Sequence, residues 1–336
     1  MITKNSTYKR PRREDVARLA GVSVATVSYV LNHSPKPVAE ETRSKVLSAV
    51  QQLGYQPHGL ARSLKTGSTL TIGLVIPVIA SPGLAYMASK VQDELARKGY
   101  QAVMANSHED PGMEELLLDK LVSQPVDGMI VSPASIHEAR RFERIQEMGI
   151  PLVFMDRYVN GVEADRVATE SRGAARTAAG YLLDQGCRNT LCLSFSHVAS
   201  SAIERVEGYR EALAARGAAD HQAQVLVIRD PEGETAEQAL LEHFDRSGIP
   251  DGILCTTQEL GIQLVRAFRH RGLPLPENKV VIFDADWGEV LNPPIPVIKQ
   301  NLLQIALTSV RLMLERLQGS TDDPQTILYP AELIRY

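Results

Sequence analysis

Four residues within the stretch DVARLAGVSVATVSYVLN (residues 15–32) could meet phosphates and base edges: Ser23, Ala25, Tyr29 and Asn32. Ser23 is a natural N-cap, so the helix after it starts with free backbone N–H groups that suit a phosphate. Ala25, Tyr29 and Asn32 share the outward face of that helix, small or polar enough for close approach to another surface. Val24, Val27, Val30 and Leu31 recur at helical spacing on the other face, as Val16, Leu19 and Ala20 do in the helix before. The tight turn Gly21-Val22-Ser23 joins the two. This is the pattern of a helix-turn-helix whose second helix enters the DNA major groove, although a generic pair of antiparallel helices shows the same periodicity.

A second set of polar residues falls at the carboxyl ends of apolar runs, where open α/β sheets bind ligands. Ser81, Asn106, Ser107, Ser132, Asp156, Arg157, Thr257, Gln258 and Asp284 are the members, and Arg205 lies just past another such run in ERVEGYREAL. Each alone reads as a solvated loop residue. Together they suit hydrogen bonds to a hydroxyl-rich ligand. Trp287, the only tryptophan, could stack on a sugar face or simply pack. Two arginines facing a neutral pocket would be costly without anions, which leans toward a phosphorylated or acidic sugar. Asp156 could equally neutralise Arg157.

Bond-making chemistry finds no foothold. No GxGxxG or P-loop opens a strand-to-helix turn, and IASPGLAY (residues 79–86) carries one glycine and no phosphate-binding lysine. No serine sits in an elbow motif. His33, His58 and His108 read as surface residues. Cys187, Cys192 and Cys255 are odd in number and lack metal spacing, which fits reduced thiols. The expectation is a chain with no catalytic residue, no metal and no cofactor.

Charge divides the elements that must position these residues. Up to Gly67 there are eleven Lys/Arg and four Asp/Glu, a net of +7; the remainder carries −11, and the overall −4 hides the split. A basic head on an acidic body is what a DNA-binding module attached to a different kind of domain would show. Residues 1–12 read as a basic flexible tail, low in apolar content. Residues 13–56 read as the helix-turn-helix domain, with a third helix at Glu40–Leu53 that places Val46, Val50 and Leu53 on one face and ends at Gly54. Ala39 is a poor cap, so the start of that helix should fray. Residues 57–67 read as a hinge too short to stand as a helix in water. Its Leu60 and Leu64 share a face. Leu64 could wedge into a DNA base step, or both could pack on the body.

From Leu70 onward, short apolar runs alternate with amphipathic helices. The strand candidates are 71–76, 101–105, 127–131, 152–155, 190–195, 224–228, 252–255 and 280–283, with helices such as 85–98 and 258–271 between them. That alternation means parallel sheets covered on both faces. About 270 residues exceed one comfortable core, so two doubly wound α/β subdomains are expected. No internal repeat is visible. No window approaches a membrane span, and the N-terminus has no apolar signal core, which predicts a cytosolic chain.

With these motifs in place, the whole chain resembles the lactose-repressor (LacI/GalR) family of transcriptional regulators. DVARLAGVSVATVSYVLN, ETRSKVLSAVQQLGYQPHGLARSLKTGSTLTIGLVIP, RVEGYREAL and PPIPVIKQ lie in family order and spacing. The resemblance implies a periplasmic-binding-protein-like body at 68–336. Its N-subdomain would take about 68–168 and 299–325, and its C-subdomain about 169–298 and 326–336. It implies DNA contacts at Ser23, Val24, Ala25, Thr26, Ser28, Tyr29, Asn32 and Arg43, and at Leu64 and Lys65 in the hinge. It matches Arg157, Arg205 and Asp284 to effector-binding positions, and with the strand-end residues Ser81, Asn106, Ser132, Thr257 and Gln258 and with Trp287 these make up the expected effector site. Three departures stand out. Tyr29 occupies a position where many members carry a guanine-reading arginine, and Tyr cannot make that bidentate contact; members similar to the fructose and sucrose repressors have Tyr or Leu there. CTTQELG replaces the common ANDxxAxG, so Thr257 and Gln258 alter the hydrogen bonding. FDAD replaces FDD, leaving Ala285 without a carboxylate.

The implied function is a repressor of carbohydrate genes, controlled by a sugar or sugar phosphate in the interdomain cleft. Its implied partners are a palindromic duplex and a second copy of itself. The chain stops at Tyr336 without a leucine heptad tail, which favours a dimer over a tetramer. A sugar sensor acting through a protein partner and an enzyme of sugar metabolism are the rival readings.

Overall fold

The computed structural model describes residues 11–31, 36–55, 67–124, 126–217, 223–229, 234–276 and 278–336. The chain divides into two compact units, residues 1–69 and 70–336.

The first unit holds α1 (Arg13–Ala20), α2 (Val24–Leu31) and α3 (Glu40–Leu53). The Ser23 Oγ accepts the Thr26 N–H at 3.1 Å, so the expected cap of α2 is formed. Gly21 and Gly54 end α1 and α3 at φ 66° and 58°, the left-handed region that only glycine enters without strain. Ala39 starts α3 with no side-chain cap. The core is Val16, Ala17, Val27, Val30, Val46, Ala49 and Tyr55, with Val50 and Leu53 packed at its edge. Two expected core residues are outside it: Leu19 is 46% exposed and Val24 is 40% exposed. Ala17, one turn before Gly21, takes the inward position, and Val24 lies in the uncovered first turn of α2. Residues 1–10 of the tail, residues 57–66 of the hinge (Leu60, Leu64 and Lys65 included), Asn32, His33 and His58 lie outside the described residues.

The second unit is built on two six-stranded sheets. In chain order the strands are β1 (Thr71–Ile76), β2 (Gln101–Asn106), β3 (Gly128–Val131), β4 (Leu152–Met155), β5 (Asp165–Thr169), β6 (Thr190–Ser194), β7 (Gln224–Val227), β8 (Gly252–Cys255), β9 (Val280–Phe283), β10 (Val297–Lys299), β11 (Thr326–Tyr329) and β12 (Glu332–Ile334). The sheet orders are β11-β5-β4-β3-β1-β2 and β12-β10-β9-β8-β6-β7, the same pattern twice. The internal repeat that the sequence hides is therefore present in the topology. All neighbours pair in parallel except β12, which runs antiparallel to β10.

Helices cover both faces of each sheet. On the first sheet, α4 (Pro82–Arg97) and the last helix, α11 (Leu302–Leu317), take one face, while α5 (Pro111–Ser123) and α6 (Ala139–Glu147) take the other. On the second, α7 (Ser171–Asp184) and α8 (Ser200–Ala214) oppose α9 (Glu234–Ser247) and α10 (Gln258–His270). Side chains alternate accordingly: Ile72, Leu74 and Ile76 meet α4, and Val75 points to α5.

The chain crosses between subdomains after β5, after β10 and after β11. The last crossing corrects the expected boundary at residue 325. β11 pairs in parallel with β5, Thr326 opposite Arg166, so residues 326–329 belong to the N-subdomain. Pro330, which cannot donate to a ladder, separates β11 from β12 and marks the true crossing.

Candidate functional site

On the head, Ser23, Val24 and Ala25 are exposed along the start of α2, and Thr26, Ser28 and Tyr29 are half-buried. The Tyr29 hydroxyl accepts a hydrogen bond from Lys36 Nζ at 3.1 Å. Lys36 was not among the expected contacts. Arg43 lies on α3, 3.8 Å from Glu40, with its side chain 28% exposed. Ser23, Val24 and Ala25 thus present short side chains at the start of a helix, the kind of end that suits a phosphate.

In the body, the two strand-end acids occupy matching places. Asp156 follows β4 and Asp284 follows β9, at φ 68° and 54°. Non-glycine residues in the left-handed region cluster at functional turns. Between the two subdomains lies a cavity of about 60 Å³ lined by Ser81, Asp156, Arg157, Arg205, Thr257, Gln258, Asp284 and Gln300 among others. A wider chamber of about 290 Å³ adjoins it and adds His108, Glu109 and Arg229. Phe195 and Leu84 supply an apolar wall to both.

Arg205 is 5% exposed and sits on α8. It donates to the Thr256 carbonyl at 2.6 Å and to Gln300 Oε1 at 2.9 Å, with its guanidinium 4.2 Å from the Phe283 ring. Gln300 then donates both its backbone N–H and its side-chain amide to the Asp284 carboxylate. Gln300 Oε1 also accepts from Thr169 Oγ1 at 2.5 Å. Gln300, at the β10–α11 crossing, is thus the centre of the network, and no reading of local spacing points to it. Burial pushes the Asp284 carboxyl up to about 6, against the pull of Arg205 and Gln300. Burial likewise raises Asp156 and lowers Arg205. Arg205 Nε and Thr256 Oγ1 are buried without a hydrogen-bond partner among the described residues. Such atoms carry a desolvation cost that a polar ligand would offset.

Arg157 departs from expectation. Its two terminal nitrogens donate to both oxygens of Glu109, at 2.8 and 2.9 Å, and Asp156 lies 3.8 Å from its Nε. Burial alone would pull its pKa down; Glu109 and Asp156 more than offset that and raise it. The expected surplus of positive charge is absent. Across both chambers three guanidinium groups face four carboxylates.

Three expected site residues do not line either chamber. Trp287 lies in the short 3-10 helix Asp286–Val290 and packs against the core beside α9 and α10, so packing takes it rather than stacking on a ligand. Asn106 turns its Oδ1 to the Ile79 N–H at 3.2 Å. Ser132 is fully buried at the end of β3. The thiols of Cys187, Cys192 and Cys255 are free and buried. Among the described residues no group of three His, Cys, Asp or Glu could hold a metal, and no helix is long and apolar enough to cross a membrane.

A helix-turn-helix head and a two-sheet body with a polar cleft define a ligand-responsive DNA-binding protein. The comparisons with known proteins agree. Residues 14–58 match "Bacterial regulatory proteins, lacI family" and residues 179–335 match "Periplasmic binding protein-like domain". The ribose operon repressor of Halalkalibacterium halodurans is 30% identical over 325 residues, spanning 95% of this chain and 94% of that one. The transcriptional repressor PurR of Photobacterium profundum is 28% identical over 323 residues, spanning 96% of each. Among solved structures, a CelR–cellobiose complex matches with TM-score 0.70 at 28% identity, over 97% of this chain and 99% of that one. The lac repressor dimer bound to operator and the anti-inducer ONPF matches with TM-score 0.84 at 22% identity, over 97% and 98% of the chains, a likeness of fold.

The chain belongs to the LacI family and is a DNA-binding transcriptional repressor with a periplasmic-binding-protein-like body. Its relatives are repressors rather than enzymes. They do not single out the fructose and sucrose repressors.

Proposed function

We propose that this repressor acts as a homodimer on a palindromic operator in the cytoplasm, where its DNA target lies, and is controlled by a sugar bound in the cleft. The observation that carries the effector reading is the Arg205–Gln300–Asp284 network, which presents a cation, a carboxylate and an amide at the subdomain boundary. Paired donors and acceptors of this kind suit adjacent hydroxyls. The Phe195 side of the cavity, a buried ring in its wall, suits a sugar's apolar face.

A ligand touching Arg157 on one subdomain and Arg205 and Asp284 on the other binds open and closed forms with different energies, and that difference is what a switch requires. The signal would reach DNA through residues 57–67. In this reading the hinge orders on the operator, with Leu64 wedged at the central step and Lys65 on the backbone. Ser23, Thr26, Ser28 and Arg43 would position the head on phosphates, and Val24, Ala25, Tyr29 and Asn32 would meet the bases.

A thermal-shift screen of sugars and sugar phosphates tests the reading. A ligand at 100 times its Kd adds about 2.7 kcal/mol to stability. The hit should then change the affinity of the full chain for a palindromic duplex. A panel that leaves both the melting temperature and operator binding unmoved rejects a sugar effector.

A further inference from the structure

We infer that Glu109 is a specificity residue of the cleft: it occupies Arg157 and so restricts the effector to uncharged ligands. The inference rests on the effector reading above for its biological meaning, but its geometry stands alone. Arg157 is 4% exposed, and its planar fork is the cleft group best shaped for a bidentate anion. Glu109 already fills that fork with both oxygens, at 2.8 and 2.9 Å, reaching it from the turn after β2, 48 residues away in sequence.

The turn is built to hold it there. His108 and Glu109 are consecutive non-glycine residues at φ 55° and 57°. Each such conformation costs on the order of 1–3 kcal/mol and persists only where its surroundings fix it. Two contacts do so: the Glu109 N–H donates to the Pro77 carbonyl at 3.0 Å, and Asp110 caps α5 through the N–H groups of Gly112 and Met113 at 2.7 and 3.0 Å.

No other cleft arginine presents a buried, open two-pronged fork. The terminal nitrogens of Arg205 are committed to Thr256 and Gln300. Arg229 is exposed at the mouth, 3.5 Å from His197. A phosphate or carboxylate entering the cleft would therefore meet Glu109, Asp156, Glu259 and Asp284, with the fork of Arg157 already filled by Glu109 and both terminal nitrogens of Arg205 already bonded to neutral acceptors. The Glu109 side chain is 29% exposed and within reach of the outer chamber, so a substitution there changes the charge of the lining without opening the core.

The test uses the full chain and inorganic phosphate as probe, titrated calorimetrically at fixed ionic strength. Glu109→Gln should bind phosphate at least ten-fold more tightly than the wild type, and Glu109→Ala should do likewise if the glutamine variant folds poorly. Adding Arg157→Gln to either should erase the gain, which separates the cleft from the basic head. Equal phosphate affinity in wild type and both variants overturns the inference, and so does a gain that survives loss of Arg157. D-ribose and D-ribose 5-phosphate form a second arm. A wild type that binds neither excludes D-ribose as the effector, and one that also fails against the whole sugar panel sinks the sugar-effector reading; beside either, a Glu109→Gln variant that gains phosphate through Arg157 leaves the role of Glu109 standing.

Discussion

The Lys36 ammonium lies 4.8 Å from the centre of the Tyr29 ring and donates to its hydroxyl at 3.1 Å. The pair puts an aromatic face and a cation at a helix position where an arginine would combine both. An ammonium is a point charge, so it can reach a phosphate or a single acceptor but cannot read guanine bidentately. Tyr29→Ala should relax sequence preference while leaving non-specific binding largely intact. Lys36→Ala should lower affinity for all duplexes and reduce the salt dependence by about one counterion's worth. Binding-site selection that returned one motif for wild type and Tyr29→Ala would remove Tyr29 from base readout.

Arg205 should govern the response to effector. Truncation removes its charge-assisted hydrogen bonds, leaves the Thr256 carbonyl without the Arg205 donor, and leaves Gln300 Oε1 with Thr169 Oγ1 as its side-chain donor. Loss of one such bond costs roughly 1.5–3 kcal/mol, about ten-fold or more in affinity. Arg205→Ala should thus abolish the effector response while operator affinity without effector stays near wild type. Titration with the sugar returned by the thermal-shift screen checks it; an unchanged half-maximal concentration places the pocket elsewhere.

Effector affinity should depend on pH through Asp284. Burial holds its carboxyl at about 6, well above the ordinary aspartate value. Above pH 6 it is ionised and accepts hydroxyl donors; as pH falls through 6 it takes a proton and loses that capacity. Affinity should therefore fall on acidification from pH 7 to pH 5. Stability runs the other way: a raised folded pKa contributes stability present below about pH 4 and lost as pH rises through 6. Calorimetric titration across that range should show the affinity loss in wild type and a flat profile in Asp284→Asn.

What the sequence revealed depends on how local each cause is. The Ser23 cap, the α3 limits at Glu40–Leu53 and most parallel strands follow from spacing within a few residues, and they are found where spacing puts them. Four strands are less legible. β5 starts with a buried Asp165 paired to Arg316 and β10 is three residues long, whereas β11 and β12 fall in TILYPAELIRY, which reads as strand-like but, half exposed and split by Pro330, does not declare its two sheets. The cleft divides similarly. Ser81, Arg157, Arg205, Thr257, Gln258 and Asp284 converge because strand ends converge in this fold. Glu109 and Gln300 escape notice because their decisive partners lie 48 and 131 residues away. Trp287 misleads in the other direction, since rarity says nothing about which way a ring faces.

Gly208 carries a constraint of the same non-local kind. It lies in RVEGYREAL on α8, three residues after Arg205, and faces α7. A Cβ built there would collide with the Arg172 carbonyl and crowd the Arg176 N–H, both backbone atoms that cannot rotate away. The glycine is thus not a helix break but a point of close approach between two helices, at the cost in helix propensity that glycine brings. Gly208→Ala must push α8 off α7, and forced overpacking typically costs 1–3 kcal/mol. Because α8 also positions Arg205 under the cleft, effector affinity should drop along with the melting temperature, whereas binding of the separate helix-turn-helix head to DNA should not. Paired denaturant unfolding and effector titration check both halves. An alanine variant as stable as wild type would mean that the helices separate at no cost, and Gly208 would then hold no structural role.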